Sequence, residues 1–237
     1  MTGTLGTRQT RAAIVDALSM SANGPGRRSY HHGNLREALV QAALDMIGQR
    51  GLAGLAIAEI ARVLGVSPAA PYRHFRDRNA LIAEVARRGF ERLTVDLEAA
   101  WAGGRPDPVT AIERCGRAHL AFAKGDPAAY TAMFDPGTDP STGGMEPAVQ
   151  EASDAAFAVL RRAADAACAK ARQAPTQRGR AVPAQMVALH VWSLTHGIAS
   201  LFVTPGTAAG RLPMPPEDLL EAGLLIYLNS LGLAATP

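Results

Sequence analysis

The chain has 237 residues, 48% of them hydrophobic, enough for a substantial buried core and too many for an intrinsically disordered polypeptide. Only 5% are aromatic and alanine is abundant, which disfavours a β-sandwich, because strands prefer branched and aromatic side chains while alanine is the best helix former. The net charge of +3 conceals a segregation: residues 27–92 carry 11 Arg and no Lys against 6 acidic residues, net +5, whereas residues 93–237 carry 11 basic against 14 acidic residues, net −3. A basic N-terminal part joined to an acidic remainder is the pattern of a polyanion-binding module attached to a differently tasked domain; a solvated charged face is the alternative.

Residues 1–26 read as a flexible N-terminal extension, in which a short helical pattern from Arg11 to Leu18 is followed by the breaker cluster Ser21-Ala22-Asn23-Gly24-Pro25-Gly26. They have neither a continuous apolar run nor a cleavage site, so they do not read as a signal peptide. A first helix begins at Asn34, which with Glu37 makes a capping box; Leu35, Leu39, Ala42, Ala43, Met46 and Ile47 form its apolar stripe, and Gly51 ends it. Two short helices follow. The first runs from Ile57 to Leu64 and stops at Gly65; the second is capped by Ser67, has Pro68 in its first position and runs to about His74. A three-residue turn containing Gly, with Ile60, Ala61, Leu64, Val66, Tyr72 and Phe75 facing inward, meets the requirements of a helix-turn-helix.

Asp77 then caps a long strut from Arg78 to about Trp101, broken by Gly103-Gly104-Arg105-Pro106. Helical patterns recur at about 107–124, 126–134, 146–173, 182–203 and 216–233, divided by Pro and Gly clusters. The apolar run from Met186 to Val203 carries His190, Ser193, Thr195, His196 and Gly197, so it reads as a buried or interface helix and not as a membrane span. Cys115 and Cys168 are isolated and read as small buried hydrophobes in a reducing compartment. The expected fold is all-α, with an N-terminal three-helix domain at 27–80 and a larger helical domain at 81–237.

The segment from Gly51 to Leu81, GLAGLAIAEIARVLGVSPAAPYRHFRDRNAL, resembles the DNA-binding domain of TetR-family transcriptional regulators through Ile60-Ala61, Gly65-Val66-Ser67, Tyr72, His74-Phe75 and Leu81-Ile82. The stretch Tyr30 to Arg36 and the later Trp192, His196 and Gly197 resemble the subgroup whose C-terminal domain is named WHG. Two positions depart from the family pattern: Ala56 stands where a capping hydroxyl is usual, and Arg78 where Lys is usual.

The resemblance implies that the Pro68 to His74 helix enters the major groove of an operator, presenting Ser67, Ala69, Ala70, Arg73 and His74, with Tyr72 and Arg78 at phosphates. Only Arg73 has a long donor able to make a bidentate guanine contact. Arg27 and Arg28, ahead of the first helix, are placed to reach the adjacent minor groove, as other N-terminal arms do. The resemblance further implies a homodimer through the last two helices, for which Leu220, Leu224, Tyr227 and Leu228 are the expected interface. It also implies a small-molecule inducer held among Trp101, Phe122, Tyr130, Met133, Phe134, Phe157, Trp192, His196 and Phe202. Trp192 and His196, four apart, share a helix face, and Gly197 is expected to admit a neighbouring helix.

No phosphate loop, HExxH, nucleophile elbow or paired cysteine occurs, so no enzyme is read here, and neither is a cofactor. His31-His32 lacks further ligands at metal spacing, and no metal site is expected. The expected function is a cytoplasmic repressor released from its operator by an inducer, with a constitutive DNA binder that senses no ligand as the alternative.

Overall fold

A computed structural model describes residues 35–134, 145–173, 182–203 and 214–233. Arg27, Arg28, His31, His32 and the Asn34 cap lie outside them. The described residues form eight α-helices and no strand: α1 (Leu35–Arg50), α2 (Ile57–Val63), α3 (Arg78–Trp101), α4 (Pro108–Gly125), α5 (Pro127–Phe134), α6 (Pro147–Gln173), α7 (Ala184–Val203) and α8 (Pro216–Ser230). The described residues from 36 onwards make one compact unit.

Local chemistry sets the boundaries. At Gly51, φ 69°, the amide bonds back to the Ile47 carbonyl and closes α1. At Gly65, φ 67°, α2 ends in paired bonds, Val66 N–H to Ala61 O and Gly65 N–H to Arg62 O, the two bonds of a Schellman motif. Asp77 caps α3 by accepting the Ala80 amide, and Asp107 caps α4 by accepting those of Val109 and Thr110. Pro108, Pro127, Pro147 and Pro216 each occupy a first helical position, where the missing N–H costs nothing. Ala56, ahead of α2, makes no side-chain cap bond, as expected where a hydroxyl has been lost.

The second limb of the helix-turn-helix differs from the regular α-helix expected. Residues 68–69 form a turn and Pro71–Arg73 a 3-10 helix, with bonds from Ala70 N–H to Ser67 O, Arg73 N–H to Ala70 O and His74 N–H to Pro71 O. Pro71 has no N–H, and its ring crowds the carbonyl four residues back, so the chain adopts the tighter i to i−3 pattern. Ser67 enters the limb through its carbonyl.

The body is organised around α3, which packs along α4, α5 and α6. α7 lies on α4 and α6, and α8 on α7 and α4. The close approach of α8 depends on two glycines: a Cβ at Gly223 would stand 2.9 Å from Leu194 of α7, and one at Gly116 3.3 Å from Leu224 of α8. Gly197, expected to fill this role, has nothing within 4 Å of its would-be Cβ and faces outward.

Candidate functional site

The head presents a short exposed segment on a fixed base. Ile60, Ala61 and Phe75 are buried and Leu64 and Val66 half-buried, while Ser67, Ala69, Tyr72, Arg73 and His74 are exposed and Ala70 is half-buried. Tyr72, expected inward on packing grounds, therefore points out, because the 3-10 turn rotates it off the core side that Pro71 and Phe75 occupy. The Arg73 guanidinium makes no hydrogen bond or ion pair among the described residues, so its five donors face solvent. The other arginines nearby are engaged: Arg62 with Glu59 at 3.7 Å, Arg76 with Asp77 at 2.9 Å.

Arg78, expected at a phosphate, has two of its nitrogens engaged within the chain. Its Nε donates to the Leu55 carbonyl at 3.0 Å and its Nη2 to the Leu52 carbonyl, so it pins the turn before α2 onto the start of α3. The Leu52 carbonyl already accepts the Leu55 amide and keeps a second lone pair, so it and the Leu55 carbonyl together satisfy a half-buried guanidinium.

α1 is tied to α3 by a buried carboxylate. Glu84 on α3 has 7% of its side chain exposed and accepts from Arg36 of α1 at 2.6 Å, from Arg88 at 2.8 Å and twice from Arg87 at 3.0 Å. Arg88 also reaches Glu37 of α1 at 2.6 Å. Burial alone would raise the Glu84 carboxyl, but the hydrogen bonds from Arg87, Arg36 and Arg88 outweigh it and hold the group far below the usual carboxylate range.

In the body, five of the expected effector residues converge. Tyr130, Phe134, Phe157, Trp192 and His196 form one aromatic cluster, with Phe134 4.3 Å from His196 and 4.7 Å from Tyr130 between ring centres. Sequence reasoning missed its central member, His119, which is fully buried and 4.8 Å from the Trp192 ring. A polar string threads the cluster: Ser200 Oγ to His196 Nε2 at 3.4 Å, His196 Nδ1 to the Tyr130 hydroxyl at 2.8 Å, and that hydroxyl to His119 Nε2 at 3.2 Å. The string stops at His119 Nδ1, which is buried without a hydrogen-bond partner. Because the tyrosine hydroxyl donates once, the string has two proton orders, leaving His119 Nδ1 either as a bare acceptor or as an N–H donor. Other expected effector residues lie apart from the cluster. Trp101 packs its ring over Gly104 at the end of α3, Phe122 sits under the Arg92 guanidinium at 5.4 Å, and Met133 faces Gly89 of α3. Each is fixed by a local neighbour.

Burial pushes the His119 imidazole down to about 3 from an ordinary value of 6.5, with the nearby His196 adding to the shift, and burial lowers His196 too. Between those two values the unfolded chain binds a proton that the buried His119 ring refuses, so stability present above about pH 6.5 is lost as the pH falls towards 3. His119→Leu is expected to reduce the slope of unfolding free energy against pH in that window, leaving the His196 contribution. Urea unfolding at several pH values checks this, and an unchanged slope contradicts it.

Three of the four expected dimer residues are turned inward. Leu220, Leu224 and Leu228 are fully buried within the single chain, facing α4 and α7, and Tyr227 is half-buried with its hydroxyl 2.6 Å from His190 Nδ1. The outward apolar residues of α8 are Leu225 and Ile226, and on α7 they are Met186, Leu189 and Leu201. No helix among the described residues is long and apolar enough to cross a membrane, and no group of three or more His, Cys, Asp or Glu among them has metal-binding geometry.

Two family models match the chain: one described as bacterial regulatory proteins, tetR family, over residues 39–85, and one described as a tetracyclin repressor-like C-terminal domain, over residues 112–226. The HTH-type transcriptional regulator BetI of Rhizobium meliloti (strain 1021) is 36% identical over 101 residues, covering 42% of this chain. The match spans 50% of that relative's length. Among solved structures, a protein with unknown function from Rhodococcus sp. RHA1 superimposes with a TM-score of 0.70 at 30% identity, over 86% of this chain and 99% of that one. AibR, solved in complex with isovaleryl coenzyme A and operator DNA, superimposes with a TM-score of 0.57 at 15% identity, over 81% of this chain and 96% of that one, a likeness of fold.

Proposed function

The chain belongs to the TetR family of bacterial transcriptional regulators, and from that premise we propose that it is a homodimeric repressor that leaves a palindromic operator when a small molecule enters its body. The observation that carries the operator reading is Arg73: an exposed guanidinium with no partner among the described residues, on a short segment held out by the buried Phe75 and flanked by the exposed Tyr72 and His74. A planar five-donor fork is the side chain best matched to the O6 and N7 acceptors of guanine, and Tyr72 has a hydroxyl for a phosphate. Ala69 and Ala70 offer only methyl contacts, so base reading is sparse and concentrated in Arg73. Arg73→Ala is expected to cost about 1 to 3 kcal/mol on the preferred duplex and to flatten base preference at one position per half-site. Binding-site selection with both proteins checks it; identical preferences contradict the assignment.

The division of labour follows the strut: a DNA-binding head up to about residue 80 and a sensing and pairing body from 81 onwards, acting in the cytoplasm as a regulator and not as an enzyme. In the body, the unsatisfied His119 Nδ1 at the end of the polar string supports the effector reading, since an unpaired buried nitrogen is a standing cost that a ligand group can remove. A ligand that binds better when the two heads are misplaced for the operator shifts the population towards that state, by no more than its differential affinity for the two. For pairing, the outward faces of α7 and α8 supply Met186, Leu189, Leu225 and Ile226, with Gly197 leaving room for a partner helix. A two-fold pair would place two reading segments on half-sites about 34 to 36 Å apart, or a multiple of that.

A further inference from the structure

A cavity of about 340 Å³ lies between the end of the reading segment, the first turns of α3 and the start of α6. That volume is at the lower end of the roughly 300 to 1,000 Å³ typical of small-molecule sites. Three arginines line it, Arg36, Arg76 and Arg87, against two carboxylates, Glu84 and Glu146, with Ala83 and other small apolar side chains between them.

The charges on this wall are unequally committed. Glu84 is saturated by Arg36, Arg87 and Arg88, and Arg87 spends its donors on Glu84 and Glu91. Arg36 gives only one nitrogen to Glu84, with its guanidinium held 5.1 Å over the Phe75 ring, and Arg76 gives only its Nε to Asp77. Two guanidiniums from different elements therefore bring unspent N–H groups to one small space. Forked donors of this kind match the paired oxygens of a carboxylate or phosphate.

We propose that this cavity is an effector site for a small phosphate- or carboxylate-bearing metabolite, separate from the aromatic cluster in the body. Its walls belong partly to the reading segment, through His74 and Phe75, and partly to α6, so an occupant spans the segment that reads DNA and the body that carries it. Filling it holds the two in one arrangement, and anion and operator then change each other's affinity by the same factor. This coupling rests on the operator reading above, whereas anion capture does not.

The test is calorimetric titration of the full-length protein, free of DNA and at constant ionic strength, with inorganic pyrophosphate and separately with citrate. At least one should bind saturably at one site per chain, about tenfold more weakly in Arg76→Ala, the expected loss for one charge-assisted contact. Binding should vanish in Ala83→Phe, whose ring takes up the space. Arg76 is 79% exposed, so its removal leaves the fold intact and keeps the test decisive if the phenylalanine variant misfolds. Absence of saturable binding by either anion, or equal binding by wild type and Arg76→Ala, overturns the proposal. If neither anion binds and Arg76→Ala weakens only the duplex complex, Arg76 serves a backbone phosphate and the cavity is not a site. Saturable, Arg76-dependent anion binding by a protein that ignores all duplexes supports the cavity and defeats the operator reading alone.

Discussion

Leu224→Asp is expected to destabilise the chain by about 4 kcal/mol or more, while Ile226→Asp, two residues further along the same helix, is expected to leave the fold intact and separate the proposed dimer. Leu224 is 1% exposed and wedged against Gly116 of α4, where a carboxylate finds neither water nor a cation. Ile226 is 71% exposed, so a charge there stays hydrated in the single chain and is buried only if a second chain covers the face. Thermal unfolding with sedimentation analysis separates the two effects. The expected pattern is a large fall in melting temperature for Leu224→Asp and a near-normal melt with half the mass for Ile226→Asp. A dimer that survives Ile226→Asp places the pairing face elsewhere.

Glu84→Gln is the second large effect. The carboxylate is the shared acceptor of three arginines from two helices, and its neutral replacement leaves them crowded at one point with only Glu37 and Glu91 at the rim as counter-charges. Breaking one member of a buried ion pair costs about 3 to 5 kcal/mol. Here the arginines keep some contact with water, so about 2 to 4 kcal/mol is expected. The loss also loosens α1 on α3, leaving Arg88–Glu37 as the remaining ion pair between them, so operator affinity should fall with stability even though Glu84 is remote from Arg73. Because the folded carboxyl is held far below its ordinary value of 4.5, its contribution is complete above that pH and fades as the pH drops below it. Glu84→Gln should therefore lose its disadvantage against wild type in strong acid. Urea unfolding of the two proteins at neutral and acid pH tests this, and a constant difference at all pH values refutes it.

Much of the architecture was legible because helix ends are written in single residues. Asp77, Gly51, Gly65 and the four first-position prolines bound their helices within a residue or two of where caps and breakers put them. Side-chain direction was less legible. α8 is apolar on more than one side, so its composition announced an interface without showing that Leu220, Leu224 and Leu228 face inward while Leu225 and Ile226 face out. Arg78 carried a charge suited equally to phosphate or carbonyl, and its bonds to the Leu52 and Leu55 carbonyls depend on a turn that no local pattern places beside it. The limb after Gly65 had a serine, a proline and helix-compatible alanines, and Pro71 alone tipped it from α to 3-10 geometry. His119 stood on an apolar face with Cys115 and Phe122, where a lone histidine passes for a core residue. Its importance comes from Tyr130 and His196, 11 and 66 residues from its end of the string and from each other, which no local pattern brings together.

The most direct measurement is equilibrium binding of the full-length protein to its selected palindromic duplex and to a scrambled one, followed across a salt series. Specific affinity of about 10⁻⁸ M or tighter near physiological salt is predicted, at least about a thousandfold above the scrambled duplex, with log affinity falling linearly as log salt rises. Equal, weak binding to both duplexes, or none at modest ionic strength, would contradict the assignment of the Ser67 to His74 segment as a reader of DNA.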